Sequence, residues 1–186
     1  MFDGRVLFEY CRIKYLTHMN LLFKKNYLTQ IENSAKGENH LFRNFFVEKE
    51  GEIKDSLEDG KNSCAVMVSQ ILYSFNSLLG FKGKKQWISF IHLTVASTEK
   101  DMIGNGWFEV KELKPGAVII WEERIGRWDG LLHRHIGFYI GNHMAVSNDS
   151  KATGFPFQHP VDRPSSVDLT PRKVKKILWH PELDND

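Results

Sequence analysis

Two side chains in this sequence have the types and settings needed for covalent acyl chemistry. Cys64 falls at the start of the helix-forming run Asn62 to Gly80, and His135 heads the alternating run His135 to Ile140. At a helix start, the unpaired backbone N–H groups and the positive end of the helix dipole favour a thiolate, the form that attacks a carbonyl carbon. Cysteine is also among the most buried residue types, so Cys64 taken alone equally describes a small core side chain. His135 shifts that balance. Alternation in a strand places it with Gly137 and Tyr139, opposite Ile136, Phe138 and Ile140, and Gly137 is expected to leave open space beside the imidazole. His133 shares its parity and is the alternative base. A third group should fix which ring nitrogen accepts the thiol proton. Asn148, Ser147 and Asp149, near the end of the next strand, are the candidates, and an amide oxygen would serve as in Cys-His-Asn enzymes.

The elements that must hold these residues follow from periodicity. Residues from Val6 to Asn33 carry apolar positions at helical spacing (Ile13, Leu16, Met19, Phe23, Tyr27, Ile31) with no Pro, and predict one or two helices packed as an arm on the domain. Ser34 to Asn39 reads as a loop. Leu41 to Gly51 reads as a strand or short helix, and Glu52 to Lys61 as an acidic, turn-rich segment. The Cys64 helix is capped by Asn62 or Ser63 and runs to Gly80. Phe81 to Val95 predicts a link and a strand, and Ser97 to Gly104 a short helix capped by Ser97 or Thr98. Strands follow at Ala117 to Trp121 after the Lys114-Pro115-Gly116 turn, at His135 to Ile140, at Met144 to Ser147 after a tight turn, and at Val174 to Trp179. Pro156, Pro160 and Pro164 mark an exposed loop. Helices followed by an antiparallel meander define an α+β fold.

Bulk properties exclude several classes. The chain has 186 residues, and its net charge of +2 gives no ground for a nucleic-acid partner. The basic clusters, including Arg172 to Lys176, read as solvated faces. Two cysteines, Cys11 and Cys64, do not make a disulfide framework. His133-x-His135 is the only paired ligand spacing, so neither a metal nor another cofactor is expected. Charged residues interrupt the N-terminal apolar run, no stretch has the length to span a membrane, and the chain as written reads as cytoplasmic unless exported by another route.

The order Cys64 at a helix start, then Leu113-Lys-Pro-Gly116 leading into Ala117 to Trp121, then His135-Ile-Gly-Phe-Tyr-Ile-Gly-Asn142, resembles the NlpC-type cell-wall cysteine peptidases and the related CHAP amidases. Those families carry an "LKPGD" turn and an "HVGIYIGNG" strand. The resemblance covers roughly Asp59 to Ser150 and the last strand; the flanks Ser63, Ala65 and Val66 and the residue Ala117 depart from the pattern. It implies a papain-like core, with the cysteine helix packed on an antiparallel sheet, over residues 40–186 behind a helical extension over 1–39. It also implies metal-free hydrolysis of an amide bond in peptidoglycan peptides. Carried across, Cys64 is the nucleophile and His135 the base. The third position of NlpC-type enzymes falls at Ser147 and that of the CHAP pattern at Asn148, which is favoured as the better partner for an imidazole. Cys64's own N–H would serve the oxyanion, with Asn62 or Ser63 as second donor. Trp107, Trp121, Trp128 and Phe155 are candidate groove residues. The same fold also serves intracellular acyl or amide transferases and inactive binding modules.

Overall fold

The computed structural model describes residues 21–81, 83–125 and 130–185. Cys11, Trp128 and the first part of the expected N-terminal helical arm lie outside them. Helix α1, Phe23–Ser34, turns Phe23, Tyr27 and Ile31 inward at four-residue spacing, the periodicity of one helix face. The Tyr27 hydroxyl donates to the Gly116 carbonyl at 3.1 Å. Gly116 has φ +98°, and an added Cβ would press on the Tyr27 ring, so the Lys114-Pro115-Gly116 turn requires glycine.

A small hairpin, β1 (Phe46–Lys49) with β2 (Glu52–Asp55), occupies the segment expected to be strand or helix followed by turns. The long helix expected from Cys64 is two, α2 (Cys64–Ser74) and α3 (Asn76–Phe81). The break at Phe75 is held by the Asn76 side chain, which donates to the Ile88 carbonyl and accepts from the Trp87 N–H. These bonds tie the start of α3 to the backbone of the 87–88 segment. Residues 83–94 are bends and irregular backbone rather than the expected strand. Helix α4, Val95–Gly104, starts earlier than predicted because Thr94, not Ser97 or Thr98, caps it by accepting from the Ser97 N–H.

The remainder is one six-stranded sheet: β3 (Phe108–Glu109), β4 (Val118–Ile125), β5 (Leu132–Gly141), β6 (Met144–Asn148), β7 (Pro156–Pro160) and β8 (Val174–Trp179). The order is β3-β8-β4-β5-β6-β7, with every neighbouring pair antiparallel. Helix α2 packs on β5 and β6 and is buried on nearly every side. The main core lies between the helices and one face of the sheet, where Val118, Ile120, Ile136, Phe138 and Val146 meet Val68, Ile71, Leu72 and α1. The other face carries a smaller cluster, Ile119, Trp121, Tyr139 and Ala145. The α+β layout is therefore as expected, with an antiparallel sheet covered by helices on one face. The prolines misled in one place. Pro156 to Pro160 is a strand, which can begin and end in proline because β7 lies at the edge of the sheet, where a missing N–H costs no ladder bond.

Candidate active site

Cys64 opens α2. Ser63 occupies the N-cap position, but its hydroxyl donates to the Gly60 carbonyl at 3.0 Å and makes no side-chain cap. The first-turn N–H groups thus receive no cap from the Ser63 side chain. The ladder between β5 and β6 ends at the pair Gly137 and Ser147. One residue beyond lies the Ile136 N–H, whose dipole lowers the Cys64 pKa. The helix that Cys64 opens packs on β5, the strand that carries His135.

Burial is the largest influence on the thiol and pushes it above its ordinary value, against the pull of the Ile136 N–H, the Arg172 charge and the N–H groups of Ala65 and Cys64. The thiolate expected from the helix dipole alone is thus not the resting state. Burial also holds His135 well below the ordinary histidine value, reinforced by the positive charge of Arg172. Both partners rest neutral. Among the hydrogen bonds of the described residues, none joins Cys64 to His135.

His135 is 5% exposed and lies across the register from Trp121, beside a β-bulge between Trp121 and Arg124. Bulges of this kind re-aim side chains. Its Nε2 is 2.8 Å from the Ser147 hydroxyl, and that same hydroxyl is 2.8 Å from Nε2 of His159 on β7. Nδ1 of His159 is 2.8 Å from the Pro160 carbonyl. Nδ1 of His135 has no hydrogen bond among the described residues. The space expected beside the imidazole is filled. A Cβ on Gly137 would lie 2.5 Å from the Val146 carbonyl oxygen and 2.7 Å from Ser147 Cβ, so glycine lets Ser147 come close.

Asn148 does not touch the imidazole. Its side chain faces the other way and donates to the Gly60 carbonyl at 2.6 Å. Its Oδ1 is the one buried side-chain oxygen or nitrogen without a partner among the described residues. Asp149 holds the neighbouring loop, accepting from the Ser166 hydroxyl at 2.5 Å. His133 is exposed. Trp107 and Trp121 are buried, so neither lines an open groove, and Phe155 stacks against Arg43. Two surface clefts, one along α1 and one lined by Glu123, Arg134, Lys175 and Lys176, include none of the site residues. Among the described residues no group of three or more His, Cys, Asp or Glu is placed to hold a metal ion.

Two residues escaped the sequence reading. His159 was hidden by its flanking prolines. Arg172 belongs to a basic run whose composition predicts a solvated face, yet it is 9% exposed. Its Nε donates to the Glu122 carbonyl at 2.8 Å and its Nη2 to the His133 carbonyl at 2.6 Å. It thus clamps β4 to β5 over the bulge and brings a charge to both Cys64 and His135. The signal for Ser147 was available: Gly137 shares the face of His135, and its partner across the hairpin is Ser147, which leaves Asn148 on the opposite face.

Comparison of the chain with protein-family models, curated proteins and solved structures gives no match. Among the described residues no helix is long and apolar enough to cross a membrane.

Proposed function

We propose that this protein is a cysteine hydrolase on a papain-like core, acting on an amide bond. The observation that carries the reading is Cys64 at the start of α2, a helix packed on β5, the strand that carries His135. His135 removes the thiol proton with the nitrogen that Ser147 does not engage. The sulfur bonds the carbonyl carbon, and the oxyanion is held by backbone N–H groups at the start of α2. Ser63 cannot lend its hydroxyl, which is committed to Gly60. The imidazolium returns its proton to the departing amine, leaving a thioester. Water, deprotonated by His135, then releases the acid and restores the thiol. The resemblance to NlpC-type and CHAP enzymes supports peptidoglycan peptides as the substrate.

The neutral resting state of Cys64 and His135, with no hydrogen bond between them among the described residues, favours a second reading, a non-catalytic binding module of the same architecture. The two separate by iodoacetamide labelling of Cys64 in a Cys11→Ser background. Below the thiol's pKa, labelling proceeds through proton transfer to His135, so a catalytic pair requires that His135→Ala slow it at pH 7. A peptidase should also lose amide turnover by roughly 100-fold or more. Labelling at the same slow rate in both proteins, with the fold retained, selects the binding module.

A further inference from the structure

The Ser147 hydroxyl has one proton and two imidazole nitrogens beside it, each at 2.8 Å. Its direction is decided at the far end of the chain. The Pro160 carbonyl can only accept, so Nδ1 of His159 must carry a hydrogen. His159 is 2% exposed and held neutral by burial, with its pKa lowered to about 4. A neutral ring with its proton on Nδ1 has an acceptor at Nε2. The Ser147 hydroxyl therefore donates to His159, and its oxygen is left to accept from Nε2–H of His135. The neutral His135 ring then has its lone pair on Nδ1, the nitrogen that Ser147 does not engage.

We propose that His159 is a positioning residue for His135, acting through Ser147. It fixes the His135 proton on Nε2 and the basic lone pair on Nδ1, so that a four-group chain ending on the Pro160 carbonyl takes the place of one orienting side chain. The role of that lone pair in activating Cys64 rests on the hydrolase reading; the proton positions do not.

The first test is nitrogen NMR of histidine-labelled protein at pH 7, with resonances assigned by His135→Gln and His159→Gln. The expected patterns are Nδ1–H for His159 and Nε2–H for His135. A neutral His135 with its proton on Nδ1 overturns the proposal, and this readout holds whether or not the protein is an enzyme. The second test is Cys64 labelling by iodoacetamide at pH 7. His159→Leu should slow it roughly 10-fold, part of the 10² to 10⁴ that a positioned base supplies. His159→Gln, whose amide oxygen can still accept from Ser147, should restore much of the rate. In a Ser147→Ala background His159→Leu should change nothing further. An equal loss in that background shows that His159 acts independently of Ser147 and sinks the proposal. Predicted tautomers with labelling indifferent to His135→Ala would sustain the proton assignment and reject the hydrolase.

Discussion

The indole of Trp121 lies 5.2 Å, centre to centre, from the imidazole of His135, its partner across the β4–β5 register. The same ring is 5.7 Å from His159, and its Nε1 donates to the Val161 carbonyl at 2.7 Å. One fully buried side chain thus walls both histidines and ties them to the segment after β7. Trp121→Ala is expected to cost about 3–5 kcal/mol of stability, measured by urea unfolding. Trp121→Phe should cost less, and by admitting water should let the His135 pKa rise toward its ordinary value, followed by NMR titration.

Gly137 has no room for a methyl group, because the atoms it would strike are a backbone carbonyl and the Cβ of Ser147. Gly137→Ala should destabilise the protein by about 1–3 kcal/mol. It should also part β5 from β6 at the point where His135 meets Ser147. Urea midpoints give the first effect, and loss of the Nε2–H assignment of His135 gives the second.

Arg172 favours the Cys64 thiolate and disfavours the His135 imidazolium. Arg172→Met should therefore raise both pKa values. The thiol is read from the pH profile of iodoacetamide labelling, and the imidazole from NMR. Arg172→Lys keeps the charge but cannot reproduce the forked bonds to the Glu122 and His133 carbonyls. It should stay near wild type in the thiol profile and lose stability.

Burial lowers the His159 pKa from 6.5 to about 4. Between those values the unfolded chain binds a proton that the folded protein refuses, so the contribution is fully present above pH 6.5 and lost as pH falls toward 4. It amounts to on the order of 3 kcal/mol, and His135 acts in the same direction. Urea midpoints at pH 7.5 and 4.5 measure the loss, which His159→Gln should reduce. Near pH 4, a protonated His159 donates through Nε2 to Ser147. The hydroxyl must then turn toward His135, and the chain of protons runs backwards.

The sequence made some of this legible and concealed the rest for identifiable reasons. The Val174 to Trp179 strand coincides with β8, and the tight turn after β5 places Asn142 and His143 at φ 50° and 57°, the values a two-residue hairpin demands. Cys64 at its helix start and His135 on its strand were readable because local patterns position them. Preferring Asn148 over Ser147 followed the chemistry of an amide and overlooked hairpin parity. His159 and Arg172 were hidden because their roles depend on long-range packing, one on a proline-bounded edge strand and the other in a charged run that folds inward.

Strand β6 reaches both halves of the candidate site through adjacent residues. Ser147 sets the imidazole on one face, and on the other Asn148 grips the Gly60 carbonyl in the turn that launches the Cys64 helix. The strand acts as a mechanical datum. A slide of β6 against the rest of the sheet would pull on the His135 ring and on the root of the Cys64 helix at once. A short segment that supplies neither Cys64 nor His135 is therefore the shared reference against which both are placed.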